Sequence, residues 1–111
     1  MAKQRHHAGA DGAAAAGPSQ RQLRVGEEVR QVGGNVLLGP NGDIVRTPWW
    51  GRANEGESED PFLTSSVVGP YVRAVKELGV IADLKHYNVY IQEINRGTPY
   101  DVRADERTVQ E

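Results

Sequence analysis

Near its beginning the chain places apolar residues at helical spacing directly after a helix-start signal. Ser19 followed three residues later by Gln22 has the form of a capping box, in which each side chain bonds the backbone amide of the other residue. The apolar face then contains Leu23, Val29 and Val32. Polar residues share the opposite side, and two consecutive glycines follow as a suitable end. The pattern therefore predicts a helix over residues 19–32.

Two short apolar runs flank a strong turn signal in the next part of the chain. Residues 35–38 and 43–47 lie on either side of Gly-Pro-Asn-Gly at residues 39–42. Asn-Gly between apolar runs is typical of a tight β-hairpin, so we expect two short antiparallel strands here. The acidic run over residues 55–60 predicts a loop after them.

The second half of the chain predicts one more helix and one strand. Pro70 suits a first helical position, Val75 and Leu78 continue an apolar stripe, and Gly79 is a stop signal, so we expect a helix over residues 70–78. Residues 86–94 are rich in β-branched and aromatic residues that alternate with polar ones, which predicts a strand.

These elements together predict a small single domain of the α+β class. It would occupy residues 19–94, between a leader over residues 1–18 and a polar tail over residues 95–111. The Ala- and Gly-rich leader offers almost nothing to bury, so we expect it to be disordered.

Composition and charge argue against a membrane-spanning protein and indicate a cellular compartment. The longest uninterrupted apolar run is Ala13 to Ala16, far below the ~20 residues that span a bilayer, so no membrane segment is expected. The basic leader has no apolar segment after it, and the chain has no cysteine. Both features favour a cytoplasmic address over secretion. The net charge is −2, and the first thirty residues are the only sizeable basic region.

Candidate chemical sites are weak. His6, His7 and Asp11 could hold a metal only loosely, and the acidic run lacks the spacing of a calcium loop, so we expect no metal and no cofactor. No nucleophile with a base, phosphate-binding loop or dinucleotide motif occurs at a diagnostic spacing. We therefore expect that the chain is not an enzyme.

The neighbouring tryptophans Trp49 and Trp50 admit two interpretations. Beside Arg46 and Arg52 they could stack on unpaired bases while the arginines hold phosphate. Alternatively, one indole fills the core and the other covers its edge, which we favour because an indole buries so much apolar area.

Residues 17–30 closely resemble the N-terminal segment of the ribosome-binding factor A family. The similarity covers Gly-Pro-Ser-Gln-Arg-Gln-Leu-Arg-Val-Gly-Glu, which begins at Gly17, after a Met-Ala-Lys opening. A looser similarity includes Asp60-Pro61, Val72-Arg73, Asp83 to His86 and Val89 to Ile91. The resemblance implies a KH-like fold (related to type II), here incomplete relative to the family, with a helix and short antiparallel strands.

The same resemblance implies a role in ribosome biogenesis and rRNA processing. A monomer would bind the 30S subunit and 16S rRNA late in maturation, by shape and charge and without chemistry. The residues that would contact nucleic acid are Arg21, Arg24, Arg30, Arg73, Lys85 and His86.

Two other functions remain open at this point. Residues 39–54, together with residues 75–80, faintly resemble small terminase subunits of phages, which are DNA-packaging oligomers. The acidic net charge favours instead a protein-interaction fragment that does not bind nucleic acid.

Overall fold

The computed structural model describes residues 20–99 and 101–111. The elements, in chain order, are α1 (Gln20–Gln31), β1 (Val36–Leu37), a short 3₁₀ helix (Ala53–Glu55), α2 (Pro61–Glu77), β2 (Ile81–Ala82) and α3 (Glu106–Gln110). Within the described residues, no helix is both long enough and apolar enough to cross a bilayer. The predicted leader lies outside the described residues.

Helix α1 confirms the first predicted helix. It ends where expected, because Gly33 adopts a left-handed φ of +81° that allows the chain to turn back. The Gly34 amide then donates to the Val29 carbonyl at 2.8 Å, and the Gly33 amide donates to the Arg30 carbonyl at 2.9 Å. These two bonds satisfy carbonyls that the end of a helix leaves without partners.

Helix α2 is almost twice as long as the helix predicted over residues 70–78. Asp60 caps it by accepting a hydrogen bond from the Phe62 amide at 2.8 Å, and Pro61 occupies the first turn. Pro70 therefore lies inside the helix and is buried. The chain contains two prolines that suit a helix start, Pro61 and Pro70, and the helix begins at the first of them.

The strands are parallel, so the predicted hairpin is wrong. β1 pairs with β2 in the register Val36↔Ile81 and Leu37↔Ala82, and α2 lies between them in the chain. This is a βαβ unit, in which a helix returns the chain to the start of the sheet. Residues 43–47 form no strand. The α+β class is confirmed, but the antiparallel KH-like arrangement is not supported.

The predicted strand over residues 86–94 is also absent. This segment follows β2 as an irregular loop, with cis peptide bonds at Lys85-His86 and Tyr87-Asn88. The amides of His86 and Tyr90 in this segment donate hydrogen bonds to the buried carboxylate of Asp43. Alternation of apolar and polar residues therefore reflected a half-buried loop and not a pleated strand.

The core lies between α1, α2 and the parallel pair. Its buried apolar residues are Trp50, Val68, Ala74, Val75 and Val80. Gly26 is the buried residue of α1, and a Cβ at this position would lie 2.7 Å from Leu78 Cδ1 and 3.6 Å from Val75 Cα. The glycine in the first helix therefore permits the close approach of α1 to the end of α2.

The last described segment adds a short helix to the part of the chain that we expected to be a polar tail. Asp105 caps α3 by accepting from the Thr108 amide at 2.8 Å. Glu111 then pairs with Arg46 at 2.8 Å, which ties this end to the loop after β1. The proposed division of the chain at residues 18 and 94 stays a prediction.

Replacing Gly26 with alanine should destabilise the chain, because the new methyl group would overlap Leu78. We expect the free energy of unfolding to fall by about 1–3 kcal/mol, the usual cost of overpacking, despite the better helix propensity of alanine. Gly69→Ala is the matched control, since its Cβ would meet only the side chain of Arg73 at 3.5 Å. That variant should gain up to about 1 kcal/mol. Urea denaturation checks both, and equal effects of the two variants would contradict the close approach.

Candidate functional site

The loops that follow the two parallel strands meet at one place. The Gly42 amide donates to the Lys85 carbonyl at 2.6 Å, and the Lys85 amide donates to the Pro40 carbonyl at 3.1 Å. In open sheets of parallel strands, ligands bind outside the carboxyl ends of the strands. The side chains of these two loops are therefore candidates for a binding site.

Asp43 is the anchor of this region. Only 1% of its side chain is exposed, and its own amide donates to Asn41 Oδ1 at 2.7 Å. Its Oδ2 accepts from the His86 amide at 3.2 Å and from His86 Nδ1 at 2.6 Å. Its Oδ1 accepts from the Tyr90 amide at 3.1 Å. One buried carboxylate thus fixes both the backbone and the ring of the loop after β2.

These hydrogen bonds assign the tautomer of His86. Arg52 Nη1 lies 3.1 Å from His86 Nε2, and a guanidinium group can only donate hydrogen bonds. Nε2 must therefore accept, which places the ring proton on Nδ1, where it is donated to Asp43. In this tautomer the lone pair at Nε2 is the one that Arg52 bonds.

Arg52 is itself held by Glu55. Because the short 3₁₀ helix brings residues three apart together, Arg52 Nε and Nη2 donate to the two carboxylate oxygens of Glu55, each at 2.7 Å. Lys85 Nζ adds a contact to Glu55 Oε2 at 3.2 Å. The hydrogen bond from Arg52 is the main cause that lowers the pKa of Glu55 to about 2, and the same bond raises the pKa of Arg52. Glu55 is accordingly ionised at neutral pH and fixes two cations.

Tyr90, Glu93 and Arg96 form the outer side of the same group. The guanidinium carbons of Arg52 and Arg96 each lie 5.8 Å from the centroid of the Tyr90 ring, within the range of a cation–π contact. The Tyr90 ring also packs against His86, with centroids 4.7 Å apart. Glu93 lies beside both arginines, 3.8 Å from Arg52 Nη1 and 3.4 Å from Arg96 Nη1.

Clefts open on two sides of this cluster. One, of about 690 Å³, is lined by residues including Asn41, Glu55 and Lys85, and reaches α1 at Arg21. The other, of about 270 Å³, is lined by Asp43 and His86 and extends to α3. Lys85 therefore faces the larger cleft and His86 the smaller one, and the Nε2 acceptor of His86 is bonded by Arg52.

Within the described residues, no group of three or more acidic or histidine side chains could hold a metal ion. Glu55, considered above for a hard cation, is already engaged by Arg52 and Lys85. The weak candidates His6, His7 and Asp11 lie outside the residues that the structure describes.

The structure brings together only two of the six residues predicted to bind nucleic acid. Lys85 and His86 lie in the cluster, whereas Arg21, Arg24 and Arg30 are exposed on α1, and Arg73 is exposed on α2. Arg30 is used in packing, since its Nη1 donates to the Leu78 carbonyl at 2.8 Å. Of the first-helix arginines, Arg21 lines the larger cleft together with Lys85, whereas Arg24 and Arg30 do not line it.

Sequence reasoning missed half of the cluster, namely Asp43, Tyr90, Glu93 and Arg96. Arg52 was considered only beside the tryptophans, and Glu55 only as part of the acidic run. One signal was present in the sequence: Arg52 and Glu55 are three residues apart, and Lys85-His86 closely follow a short apolar run. Nothing in the sequence alone indicated that these two segments meet.

The two tryptophans follow the favoured interpretation only in part. Trp50 is 2% exposed and belongs to the core, as expected for one indole. Trp49 is 87% exposed, so it does not cover the edge of the core.

Comparison with known proteins identifies relatives of one kind. The model of the family described as Glycosyl hydrolase family 3 N terminal domain matches residues 15–108. Beta-glucosidase BoGH3A of Bacteroides ovatus is 44% identical over 87 residues, which are 78% of this chain and 12% of that protein. Thermostable beta-glucosidase B of Acetivibrio thermocellus is 41% identical over 87 residues, 78% of this chain and 11% of that protein. The chain thus spans only about an eighth of the length of these relatives.

A solved structure shares the fold. The crystal structure of a glycosyl hydrolase of the GH3 family from Mycobacterium smegmatis superposes with a TM-score of 0.56 over 68% of this chain and 25% of that one. The two are 23% identical over this region, so the similarity concerns the fold alone.

These matches overturn the relation to ribosome-binding factor A. The role in ribosome biogenesis, the partnership with the 30S subunit and 16S rRNA, and the expectation that the chain is not an enzyme are wrong, because the relatives are β-glucosidases. The phage terminase and interaction-fragment alternatives likewise have no support. The similarity over residues 17–30 was misleading because a capped amphipathic helix with surface arginines is common to many folds.

Asp43→Ala should destabilise the chain strongly, because it leaves three buried or half-buried donors of His86 and Tyr90 without their acceptor. We expect a loss of about 3–5 kcal/mol in the free energy of unfolding. Asp83→Ala, at an exposed position after β2, is the control and should change stability by less than about 0.5 kcal/mol. Chemical denaturation measures both. Similar losses in the two variants would show that Asp43 is not the anchor.

Glu55 should make stability depend on pH in the acid range. Its pKa is about 2 in the folded chain and about 4.3 when unfolded, so its contribution is complete above pH ~4.5 and is lost as the pH falls towards 2. The difference in unfolding midpoint between wild type and Glu55→Gln should therefore shrink over that interval. Urea titrations at several pH values measure it, with exposed Glu59→Gln as the control. A difference that stays constant down to pH 2 would contradict the ion pair.

Proposed function

Because this chain belongs to glycosyl hydrolase family 3, where it matches the N-terminal domain, we propose that it supplies part of the glycoside-binding site of a β-glucosidase-type enzyme. The observation that carries the proposal is the cluster of Arg52, Lys85 and His86 at the carboxyl ends of two parallel strands, where each side chain is fixed by a carboxylate.

The chemistry of the cluster suits a polyhydroxylated, uncharged ligand. A sugar hydroxyl both donates and accepts hydrogen bonds, and the cluster contains partners of both kinds: His86 Nε2 is an acceptor, occupied by Arg52 without ligand, and the Lys85 ammonium is a donor with three N–H groups. Hydrogen bonds to charged groups are shorter and stronger than neutral ones. A site built to bond hydroxyl groups also discriminates against analogues that lack them, because its polar groups are then left unpaired.

The carboxylates of the cluster have a supporting role in this proposal. Glycoside hydrolysis uses a pair of carboxyl groups, one of which protonates the leaving oxygen and has a raised pKa. Glu55 has the opposite property, since its pKa is lowered to about 2, and Asp43 already accepts three hydrogen bonds. We therefore assign sugar binding and orientation to these described residues, and not proton transfer.

The substrate class follows from the names of the relatives. β-Glucosidases act on β-linked glucosides, so we propose a terminal β-glucosyl group as the ligand of the cluster. A ligand of this size, with about thirteen non-hydrogen atoms at about 0.3 kcal/mol each, should bind with a Kd near 1 mM.

Titration of the 111-residue chain with methyl β-D-glucoside tests the proposal. Lys85→Met should weaken binding about tenfold or more, the effect of losing one hydrogen bond to a charged group. Lys76→Met is the matched control, because Lys76 is an exposed lysine in the last turn of α2. NMR chemical-shift changes at Arg52 and His86 locate the ligand.

Two outcomes would overturn the proposal. One is a folded wild-type chain whose spectrum does not respond to the glucoside up to about ten times the expected Kd. The other is an equal loss of affinity in Lys85→Met and Lys76→Met, since the binding would then depend on general charge and not on the cluster.

A further inference from the structure

One carboxylate oxygen of the cluster has no hydrogen-bond partner among the described residues. Glu93 Oε1 is buried, and the nearest cationic nitrogen, Arg52 Nη1, is 3.8 Å away. This separation is too long for a hydrogen bond, whose usual N···O distance is about 2.7–3.2 Å. Buried polar atoms are rarely left without a partner, so such an atom calls for an explanation.

The Glu93 side chain lies beside Arg52. A Cβ at Gly51 would lie 3.4 Å from Glu93 Cγ, so the Glu93 side chain passes close to the residue before Arg52. Its other oxygen faces Arg96 Nη1 at 3.4 Å. The acceptor is therefore close to Arg52 and restrained there, although it does not bond it.

Arg52 Nη1 instead donates to His86 Nε2, at 3.1 Å. A neutral imidazole has one acceptor lone pair, so a ligand hydroxyl that donates to Nε2 must take the place of Nη1. The displaced N–H then needs another acceptor in a region that is largely shielded from water. Glu93 Oε1 is the acceptor within reach. A movement of Arg52 Nη1 by about 1 Å would bring it to about 2.8 Å from this oxygen, the distance of a charge-assisted hydrogen bond.

We propose that Glu93 is a positioning residue that receives Arg52 when a ligand hydroxyl displaces it from His86. The arginine then has two alternative partners, His86 Nε2 without ligand and Glu93 Oε1 with ligand. The inference rests on the proposed binding of glycosides by this cluster and adds the residue that stabilises the ligand-bound arrangement. Glu93 acts through Arg52 and does not itself contact the sugar.

Glu93→Gln tests this, because the amide keeps the size of the side chain and an acceptor oxygen but removes the charge. Hydrogen bonds to a neutral acceptor are roughly half as strong, so the affinity for methyl β-D-glucoside should fall about tenfold. Oε1 makes no hydrogen bond without ligand, and the pair of Oε2 with exposed Arg96 is of a kind that contributes little, so the unfolding midpoint should stay close to that of wild type. Glu59→Gln, which changes the charge equally at an exposed position, should leave both quantities unchanged.

A spectroscopic measurement separates positioning from simple structural support. In wild type, saturation with methyl β-D-glucoside should shift the ¹⁵N resonances of the Arg52 guanidinium and of His86 Nε2 together. In Glu93→Gln the His86 shift should persist at saturation, while the Arg52 shift should be much reduced. The ligand-free spectra of both chains should place Nε2 as an acceptor.

The possible results are distinct. If wild type does not bind the glucoside, the proposed function fails and this inference fails with it. If wild type binds and Glu93→Gln binds equally well with the same Arg52 shift, only the role of Glu93 is refuted. A Glu93→Gln chain that is unfolded without ligand also refutes it, because a hydrogen bond made only in the complex contributes nothing to the free chain.

Discussion

The buried carboxylate of Asp43 is the constraint on which the rest of the site depends. It belongs to the loop after β1, yet its hydrogen bonds end on the backbone and ring of the loop after β2. Because it accepts a hydrogen bond from His86 Nδ1–H, it leaves Nε2 as the acceptor, which Arg52 then bonds. One side chain from the first loop therefore sets the protonation, direction and partner of a side chain in the second.

The parallel arrangement of β1 and β2 makes this contact possible. Parallel strands place their carboxyl ends at the same edge, so residues far apart in the chain emerge side by side. The arrangement requires a helix to cross back between the strands, and α2 does so while packing on α1 at Gly26. Packing on the helical side and chemistry at the strand ends thus belong to one βαβ unit.

Local signals predicted the first helix and the burial of one tryptophan, because a capped amphipathic segment and a large indole depend mainly on their own neighbourhood. The hairpin failed since Asn41-Gly42 signals a turn without specifying which strand pairs with which. The strand over residues 86–94 failed because Asp43 accepts the amide hydrogens that a strand would give to its neighbour. The site itself could not be derived, as its two halves are joined only by the fold.

The cations of the cluster are all paired with acids, which bears on the kind of ligand they suit. Arg52 and Lys85 share Glu55, and Arg96 faces Glu93, so each cation of the cluster lies beside an acid. Binding to a phosphate backbone draws its free energy from cations that release counterions, and paired cations contribute little of that kind. Fixed, compensated charges provide direction to hydrogen bonds without a strong net field. That property matches a neutral polyol better than a polyanion, and it follows from the same ion pairs that hold Arg52 in place.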